Sequence, residues 1–150
     1  MSGIKIITSN KRAGYDFFLD EKFEAGLVLQ GTEVKSLRAG KCTMGEAYCD
    51  FDRNNELWVK QLTIPPYAFG TYDNHNDTRK RKLLLHDKEL KYIQKSLATK
   101  GQTLVPTKIY FKGSRVKIEI ALAKGKKLHD KRESTKQKEV ERKLRQGQYE

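Results

Sequence analysis

The side chains most able to do chemistry are few and widely spaced along the chain. The three histidines, His75, His86 and His129, have no spacing that would place two of them on one helical face as metal ligands. Cys42 and Cys49 have no nearby Cys or His at ligand spacing, and in a small core they are more simply reduced thiols than a disulfide. We therefore expect neither a metal site nor a cofactor.

Catalytic patterns are also missing from the sequence. There is no Gly-x-Ser-x-Gly nucleophile elbow and no glycine-rich phosphate loop, since the Gly-Ser-Arg at 113–115 is too short and falls in a predicted turn. Glu24 and Glu33 have the chemistry of an acid–base pair, but the sequence gives no distance between them. His86 fits a loop or capping residue. The sequence therefore predicts that the protein is not an enzyme.

Basic residues interleaved with aromatic or apolar ones are the stronger signal. The segment at 10–15 places Asn10, Lys11 and Arg12 before Tyr15, a combination of phosphate-binding charge and a ring that can stack on an unpaired base. Four consecutive cations follow at 79–82. A single run of this kind is often only a solvated loop. This chain has three cationic segments, at 10–15, at 79–82 and near the C-terminus, and together they favour RNA binding. The cations of the second segment are Arg79, Lys80, Arg81 and Lys82.

The composition limits both the size of the core and the class of partner. Of the 150 residues, 37% are hydrophobic and 33% are charged, which supplies one modest core and not two. The formal net charge is +12, and self-repulsion of this kind weakens a compact state unless an anionic partner neutralises it. Nucleic acid is the favoured partner, because each phosphate contact releases a counterion.

A membrane surface is the other anionic partner that the charge allows. The sequence has no apolar run of the ~20 residues needed to span a bilayer. The segment before Asn10 has too few apolar residues for a signal peptide. We therefore expect a cytoplasmic protein with no membrane partner.

The composition changes near Lys124. Residues 124–150 hold ten basic and five acidic side chains but few large apolar ones, so this segment should stay disordered or loosely helical until a partner orders it. We predict two regions, which are an RNA-binding core over 1–123 and a basic tail over 124–150.

Upstream of the tail the pattern is mostly β. Strands are predicted on either side of a turn at 20–22, a short helix follows with Thr32 as its N-cap, and a hairpin follows that helix. After a polar loop, Asp87 is a predicted cap for an amphipathic helix ending at Gly101, and the clearest hairpin turns at 112–114. The predicted strands are 15–19, 23–29, 46–51, 57–62, 104–111 and 115–123; the helices are 32–39 and 88–99; the loop is 70–82.

Several short strands with two helices in a small basic protein are typical of a closed Greek-key barrel of the oligonucleotide-binding (OB) type. The expected fold class is therefore mainly β with short helices, in which an OB-type closed β-barrel has flanking helices and a basic C-terminal tail.

Five segments in order resemble the signature blocks of the small protein B family, the SsrA-binding proteins of bacterial trans-translation. The resemblance runs from Asn10 to Arg132 with block order and spacing intact, and it is specific because all five occur together. The blocks are Asn-Lys-Arg-Ala at 10–13, Phe-Glu-Ala-Gly at 23–26, Gly-Thr-Glu-Val-Lys-Ser-Leu-Arg-Ala-Gly-Lys at 31–41, Arg-Lys-Leu-Leu-Leu at 81–85 and Ala-Lys-Gly-Lys-Lys-Leu-His-Asp-Lys-Arg at 123–132.

This resemblance implies a function as well as the OB-type barrel. A family member binds the tRNA-like domain of transfer-messenger RNA and delivers it to the A site of a ribosome stalled on non-stop mRNA. Its tail becomes helical in the empty mRNA channel and signals to the small-subunit decoding centre. We expect a monomer. The alternative is a general or ribosomal RNA-binding protein with the same kind of barrel, in which the tail adds only charge.

The resemblance also assigns residues. Asn10, Glu24, Leu84 and Lys117 match the family's RNA-binding positions in the core. Lys117 suits a phosphate, Asn10 a base edge or 2′-OH, and Glu24 a donor on a base or ribose. Leu84 offers an apolar surface to a splayed base, although core packing is an equal reading.

In the tail, the resemblance implies that His129 stacks on a decoding-centre nucleotide and that three lysines hold ribosomal RNA. The residues that follow His129 are Asp130, Lys131 and Arg132, and the lysines are Lys124, Lys126 and Lys127.

Two positions depart from the family pattern. Gly14-Tyr15 stands where Arg-His is usual, so a cation is lost and the contacts there should be partly rearranged. Asn76-Asp77 stands where Asp-Pro is usual, which predicts a less rigid loop.

Overall fold

The computed structural model describes residues 3–68, 74–99 and 101–126. Within these ranges the chain forms seven strands and three helices. Their order is β1 (Ile4–Ser9), α1 (Lys11–Asp16), β2 (Phe17–Leu27), α2 (Gly31–Arg38), β3 (Tyr48–Phe51), β4 (Leu57–Lys60), β5 (Arg81–Leu84), α3 (Asp87–Thr99), β6 (Thr103–Lys112) and β7 (Arg115–Gly125). No helix in these ranges has both the length and the hydropathy that a membrane crossing needs.

All seven strands belong to one antiparallel sheet. Their spatial order is β1-β6-β3-β4-β5-β2-β7, and β6 also pairs with β7. β6 therefore has three neighbours, because β3 lies beside its start at Leu104 and β1 lies beside its second half. The predicted class, mainly β with short helices, is confirmed.

The core is formed by the inward residues of the strands and one face of α3. On β4, Leu57 and Val59 are buried while the residues between and after them are only half-buried. On α3, Ile93 is fully buried, and Leu90 and Leu97 pack against the same core. This confirms the predicted apolar face of the helix. Burying a Leu or Ile side chain contributes roughly 1.5–3 kcal/mol.

The N-terminal prediction is wrong in three respects. The first strand, β1, was not predicted. Residues 11–16, including Tyr15, are helical because the Asn10 side chain caps α1 by accepting a hydrogen bond from Ala13 N at 3.2 Å. The predicted turn at 20–22 is a bulge inside the continuous strand β2, where the pairing with β7 shifts between Leu19 and Lys22.

Three other boundaries also differ. α2 begins at Gly31, so Thr32 is not its cap; the Thr32 hydroxyl instead forms a hydrogen bond of 2.8 Å with His75 Nδ1. α3 begins at the predicted cap, Asp87. The carboxylate of Glu89 accepts a hydrogen bond from the backbone N–H of His86, the residue before the helix. β7 continues to Gly125, two residues past the expected boundary at 123.

Both predicted hairpins are present. β3 and β4 pair from 48 to 60, although both strands are shorter than predicted. β6 and β7 pair over nearly their whole length around a turn in which Gly113 has φ +64°. That left-handed conformation suits glycine, which has no Cβ to clash.

The predicted polar loop 70–82 ends before Arg81, because Arg81 begins β5 and is fully buried together with Glu33 of α2. Arg81 Nε donates to Glu33 Oε2 at 2.5 Å and Arg81 Nη1 donates to Leu62 O at 2.5 Å. Arg79 donates to the other carboxylate oxygen of Glu33. Gln30 N also donates to Glu33, at 2.7 Å. This charged cluster joins α2, β5 and the segment after β4.

Burial alone would raise the pKa of the Glu33 carboxyl group. Hydrogen bonds from Arg79, from the backbone of Gln30 and from Arg81 outweigh burial, so the pKa lies below its usual value of 4.5. The ionised carboxylate therefore stabilises the fold above that pH, and this contribution is lost as the pH falls through the lowered pKa.

We predict that Arg81→Met lowers the free energy of unfolding at pH 7 by roughly 3–5 kcal/mol, because it leaves a buried carboxylate without its guanidinium. The measurement is urea unfolding. The double variant Glu33→Gln/Arg81→Met is expected to recover part of the loss, and the gap between Arg81→Met and the unaltered protein should narrow below pH 4.5. Additive losses in the double variant would contradict this account.

Candidate nucleic-acid interface

Three of the predicted RNA-binding residues, Glu24, Leu84 and Lys117, line one shallow groove. They come from β2, β5 and β7, and the sheet brings them together because Gly26 of β2 pairs with both Leu84 and Lys117. The strands approach closely there, since a Cβ added to Gly26 would lie 3.3 Å from Leu84 Cβ. Leu84 is 52% exposed, so it faces solvent and is not a core residue.

The Glu24 carboxylate is held by two side chains of β6. The Tyr110 hydroxyl donates to Glu24 Oε2 at 2.5 Å, and Lys112 Nζ lies 3.3 Å from Oε1. The Tyr110 hydrogen bond is the main reason that the pKa of Glu24 is lowered, with further contributions from Lys112 and the charge of Lys117. The groove therefore presents an ionised hydrogen-bond acceptor beside an apolar side chain and a cation.

Tyr110 is 4% exposed although it lies on the outer face of β6. Lys108 Nζ lies 5.8 Å from the ring centroid, and Glu24 contacts the hydroxyl. Burial, and then the hydrogen bond to Glu24, raise the pKa of Tyr110, so the phenol keeps its proton. The sequence alone did not indicate Tyr110 or Lys112 as site residues. Strand alternation was the available signal, since residues 108, 110 and 112 share one face.

The segment at 10–15 lies outside this groove. The Asn10 amide is already used, since its Oδ1 caps α1 and its Nδ2 donates to Pro106 O at 3.1 Å. Arg12 is 65% exposed and pairs with Asp16 at 3.0 Å, Lys11 is exposed and Tyr15 is half-buried. The structure therefore gives Asn10 a structural role that joins α1 to β6.

The four-cation run does not form one cationic surface, because its residues alternate between inside and outside. The predicted RNA contact of Arg81 is wrong, since its side chain is fully buried against Glu33. Arg79 is half-buried on the same carboxylate. Lys80 is exposed, and Lys82 Nζ lies 3.2 Å from Glu56 Oε2.

The first residues of the predicted tail are attached to the core. Lys124 is exposed on β7, opposite Phe18. Lys126 N donates to Asp16 O at 2.8 Å and Lys126 Nζ to Gly14 O at 3.0 Å. A Cβ at Gly14 would meet nothing within 4 Å, so glycine is not required there by a close contact at that atom. The other predicted tail residues lie outside the described residues; these are Lys127, His129, Asp130, Lys131 and Arg132.

Both cysteines are free thiols, as predicted, and Cys49 is buried. Burial raises the pKa of Cys42 to about 11, so this thiol stays protonated at neutral pH. In the part of the chain that the structure describes, no three His, Cys, Asp or Glu side chains are grouped to hold a metal ion.

Comparison with known proteins gives a consistent result. A family model described as SmpB protein matches residues 7–149. The SsrA-binding protein of Syntrophotalea carbinolica is 54% identical over 142 residues, covering 95% of this chain and 94% of that protein. The SsrA-binding protein of Geobacter sulfurreducens is 48% identical over 145 residues, covering 97% and 94%.

One solved structure, described as "tmRNA-SmpB: a journey to the center of the bacterial ribosome", contains a chain with the same fold. It matches with a TM-score of 0.69 and 44% identity, covering 85% of this chain and 93% of that one. The resemblance inferred from the five sequence blocks is therefore confirmed.

We predict that Tyr110→Phe raises the pKa of Glu24 toward 4.5, because the variant removes the hydrogen bond that lowers it most. The measurement is an NMR titration of the Glu24 carboxyl carbon. Thr107→Val is the control, since the Thr107 hydroxyl donates to Glu119 at 2.5 Å and not to Glu24. An unchanged Glu24 pKa in Tyr110→Phe would show that the lysines alone hold the carboxylate.

Proposed function

The chain belongs to the SmpB protein family, and from that premise we propose that it binds transfer-messenger RNA and acts with it on the ribosome in trans-translation. The core binds the tRNA-like domain of that RNA and delivers it to the A site of ribosomes stalled on non-stop mRNA. The ribosome is thereby rescued and the nascent chain is tagged for degradation. The relatives' name, SsrA-binding protein, and the solved tmRNA-SmpB structure support this function.

The groove of Glu24, Leu84 and Lys117 is the observation that carries the proposal. Non-specific RNA binding needs only cations, because phosphates are alike at every nucleotide. A fixed carboxylate repels phosphate, so its place beside Lys117 fits a donor on a base or a 2′-OH. Leu84 supplies an exposed apolar surface for an unstacked base. The groove is thus suited to one RNA shape and not to charge alone.

Further core contacts with the RNA come from exposed or half-exposed side chains near the groove and around α1. Asn10 acts by fixing the start of α1, and Tyr15 offers a half-buried ring. Arg81 is not among them because it is buried. The proposed cationic contacts are Lys11, Arg12, Arg79 and Lys82.

The sheet is proposed to close as an OB-type barrel. Following the pairings from β6 through β3, β4, β5, β2 and β7 returns to β6, which supports a ring of six strands with β1 added outside it. The helices flank this ring. Such barrels bind oligonucleotides on an outer strand face, and the groove lies on the outer face of β2, β5 and β7.

The tail is proposed to act on the ribosome. The part of the tail that follows Lys126 is basic and poor in apolar side chains, which supports a segment that is disordered when free and helical in the mRNA channel. His129 would stack on a decoding-centre nucleotide, with Asp130 and the cations around it against ribosomal RNA. Those cations are Lys124, Lys126, Lys127, Lys131 and Arg132. The protein acts in the cytoplasm as a monomeric adaptor and performs no catalysis.

We predict that a chain ending at Leu128 still binds the tRNA-like domain nearly as well as the full chain but no longer supports tagging. The deleted segment has a net charge of only +2, so it contributes little to general phosphate binding. A gel shift at physiological salt measures RNA binding, and tagging of a stalled nascent chain in a reconstituted translation system measures function.

The matched control is full-length Lys143→Gln/Arg145→Gln, which removes the same net charge as the deletion. It is expected to retain both activities. If deletion and control instead lowered RNA binding equally and tagging fell in proportion, the chain would be a general RNA binder whose tail adds only charge.

A further inference from the structure

The outer face of β4 and β5 carries an aromatic and cationic cluster next to the groove, formed by Trp58, Lys80 and Lys82. We call it the Trp58 cluster. Trp58 is the single tryptophan of the chain and is half-exposed. Its neighbours Leu57 and Val59 are buried, so strand alternation turns the indole outward. Lys82 is its partner across the β4–β5 pair, and Lys80 Nζ lies 4.5 Å from the ring centroid.

The indole ring is held in place by the turn before β4. Trp58 Nε1 donates to Asp52 Oδ2 at 2.8 Å. Asp52 is itself fixed, because its Oδ1 accepts hydrogen bonds from the backbone N of Asn54 and of Glu56, both at 2.9 Å. The backbone bond from Glu56 is the main reason that the pKa of Asp52 is lowered. A ring fixed in this way loses little entropy when a ligand stacks on it.

The lysines of this face differ in their partners. Lys60 Nζ lies 3.0 Å from Asp50 Oδ1, and Lys82 Nζ lies 3.2 Å from Glu56 Oε2. Lys80, by contrast, is exposed and extends over the indole face. An ammonium group over an exposed ring is weakly held, on the order of 0.5–1 kcal/mol. Lys80 is held there by the ring and by the charge of Asp52. A phosphate competes for the same ammonium group, and movement of Lys80 toward it uncovers the ring for a base.

The Trp58 cluster lies next to the groove along β5. Lys82 and Leu84 both point outward from β5, because Arg81 and Leu83 point into the core. Two residues along a strand span about 7 Å. A nucleic-acid strand that meets Leu84 and runs along β5 toward its start would pass beside Lys82 and Trp58.

We propose that the Trp58 cluster is a stacking site for an unpaired base of the RNA bound in the groove, with Lys80 and Lys82 contacting the flanking phosphates. Aromatic stacking combined with cations is the usual chemistry for single-stranded nucleotides. The inference rests on the proposed function, because the groove must bind RNA for the cluster to meet it.

The sole tryptophan makes the site directly observable. The experiment titrates the full-length protein with the tRNA-like domain of transfer-messenger RNA at physiological salt while Trp58 emission and its quenching by acrylamide are recorded. Binding is measured separately by gel shift. The expected result is a saturable loss of emission in step with the gel shift, together with protection from acrylamide.

Unchanged emission and unchanged acrylamide quenching on fully shifted protein would overturn the inference while the proposed function stands. Absence of any gel shift would overturn both. The two failures are therefore distinguishable in one titration.

Variants separate stacking from charge. Trp58→Leu is expected to weaken binding about tenfold, and Trp58→Phe much less because it keeps a ring. Lys80→Gln should weaken binding more than Lys60→Gln, although each removes one charge from the same face. Equal losses from the two lysine variants would mean that only net charge matters and would overturn the stacking site. Thermal unfolding checks each fold, and if Trp58→Leu does not fold, the lysine pair decides.

Discussion

The buried ion pair between Glu33 and Arg81 sets the orientation of β5 and, through it, of the whole outer face. Both side chains are fully buried, and a buried charge is tolerated only with its partner in place. With Arg81 inward, Leu83 must also point inward, and Lys82 and Leu84 must point outward. If the register of β5 shifted by one residue, Arg81 and Leu83 would turn outward and Lys82 would be buried. The ion pair therefore fixes which side chains of β5 lie on the proposed RNA-binding face.

The outer face that results combines two kinds of contact. Around Glu24 the polar groups are fixed by Tyr110 and Lys112, so the carboxylate stays ionised and oriented. Around Trp58 the ring is fixed by Asp52, and the exposed Lys80 lies over its face. In both places the side chains are already ordered, so little further conformational entropy is lost on binding. The side chains proposed to recognise RNA are thus already positioned by folding.

The sequence predicted what local periodicity determines, namely the apolar face of α3, the two hairpins and the mainly β class. Resemblance to the family selected Glu24, Leu84 and Lys117, which the sheet does bring together. The failures have physical causes. In the sequence, four adjacent cations indicate a solvated segment. Arg81 is nevertheless buried because it pairs with Glu33 of α2, which is distant in sequence. In sequence, the bulge in β2 looks like a turn. It is part of a continuous strand because β2 pairs with β7, which is distant in sequence.

In the proposed function, the groove recognises RNA by a fixed carboxylate and not by bulk charge. The most direct test is a gel shift of Glu24→Ala with the tRNA-like domain at physiological salt. Its control is Glu21→Ala, which makes the same charge change on the same strand, where Glu21 accepts a hydrogen bond from Tyr92. We expect Glu24→Ala to bind roughly tenfold more weakly although it is more basic, and Glu21→Ala to bind no more weakly than the unaltered protein. Equal tightening by both variants would contradict the claim.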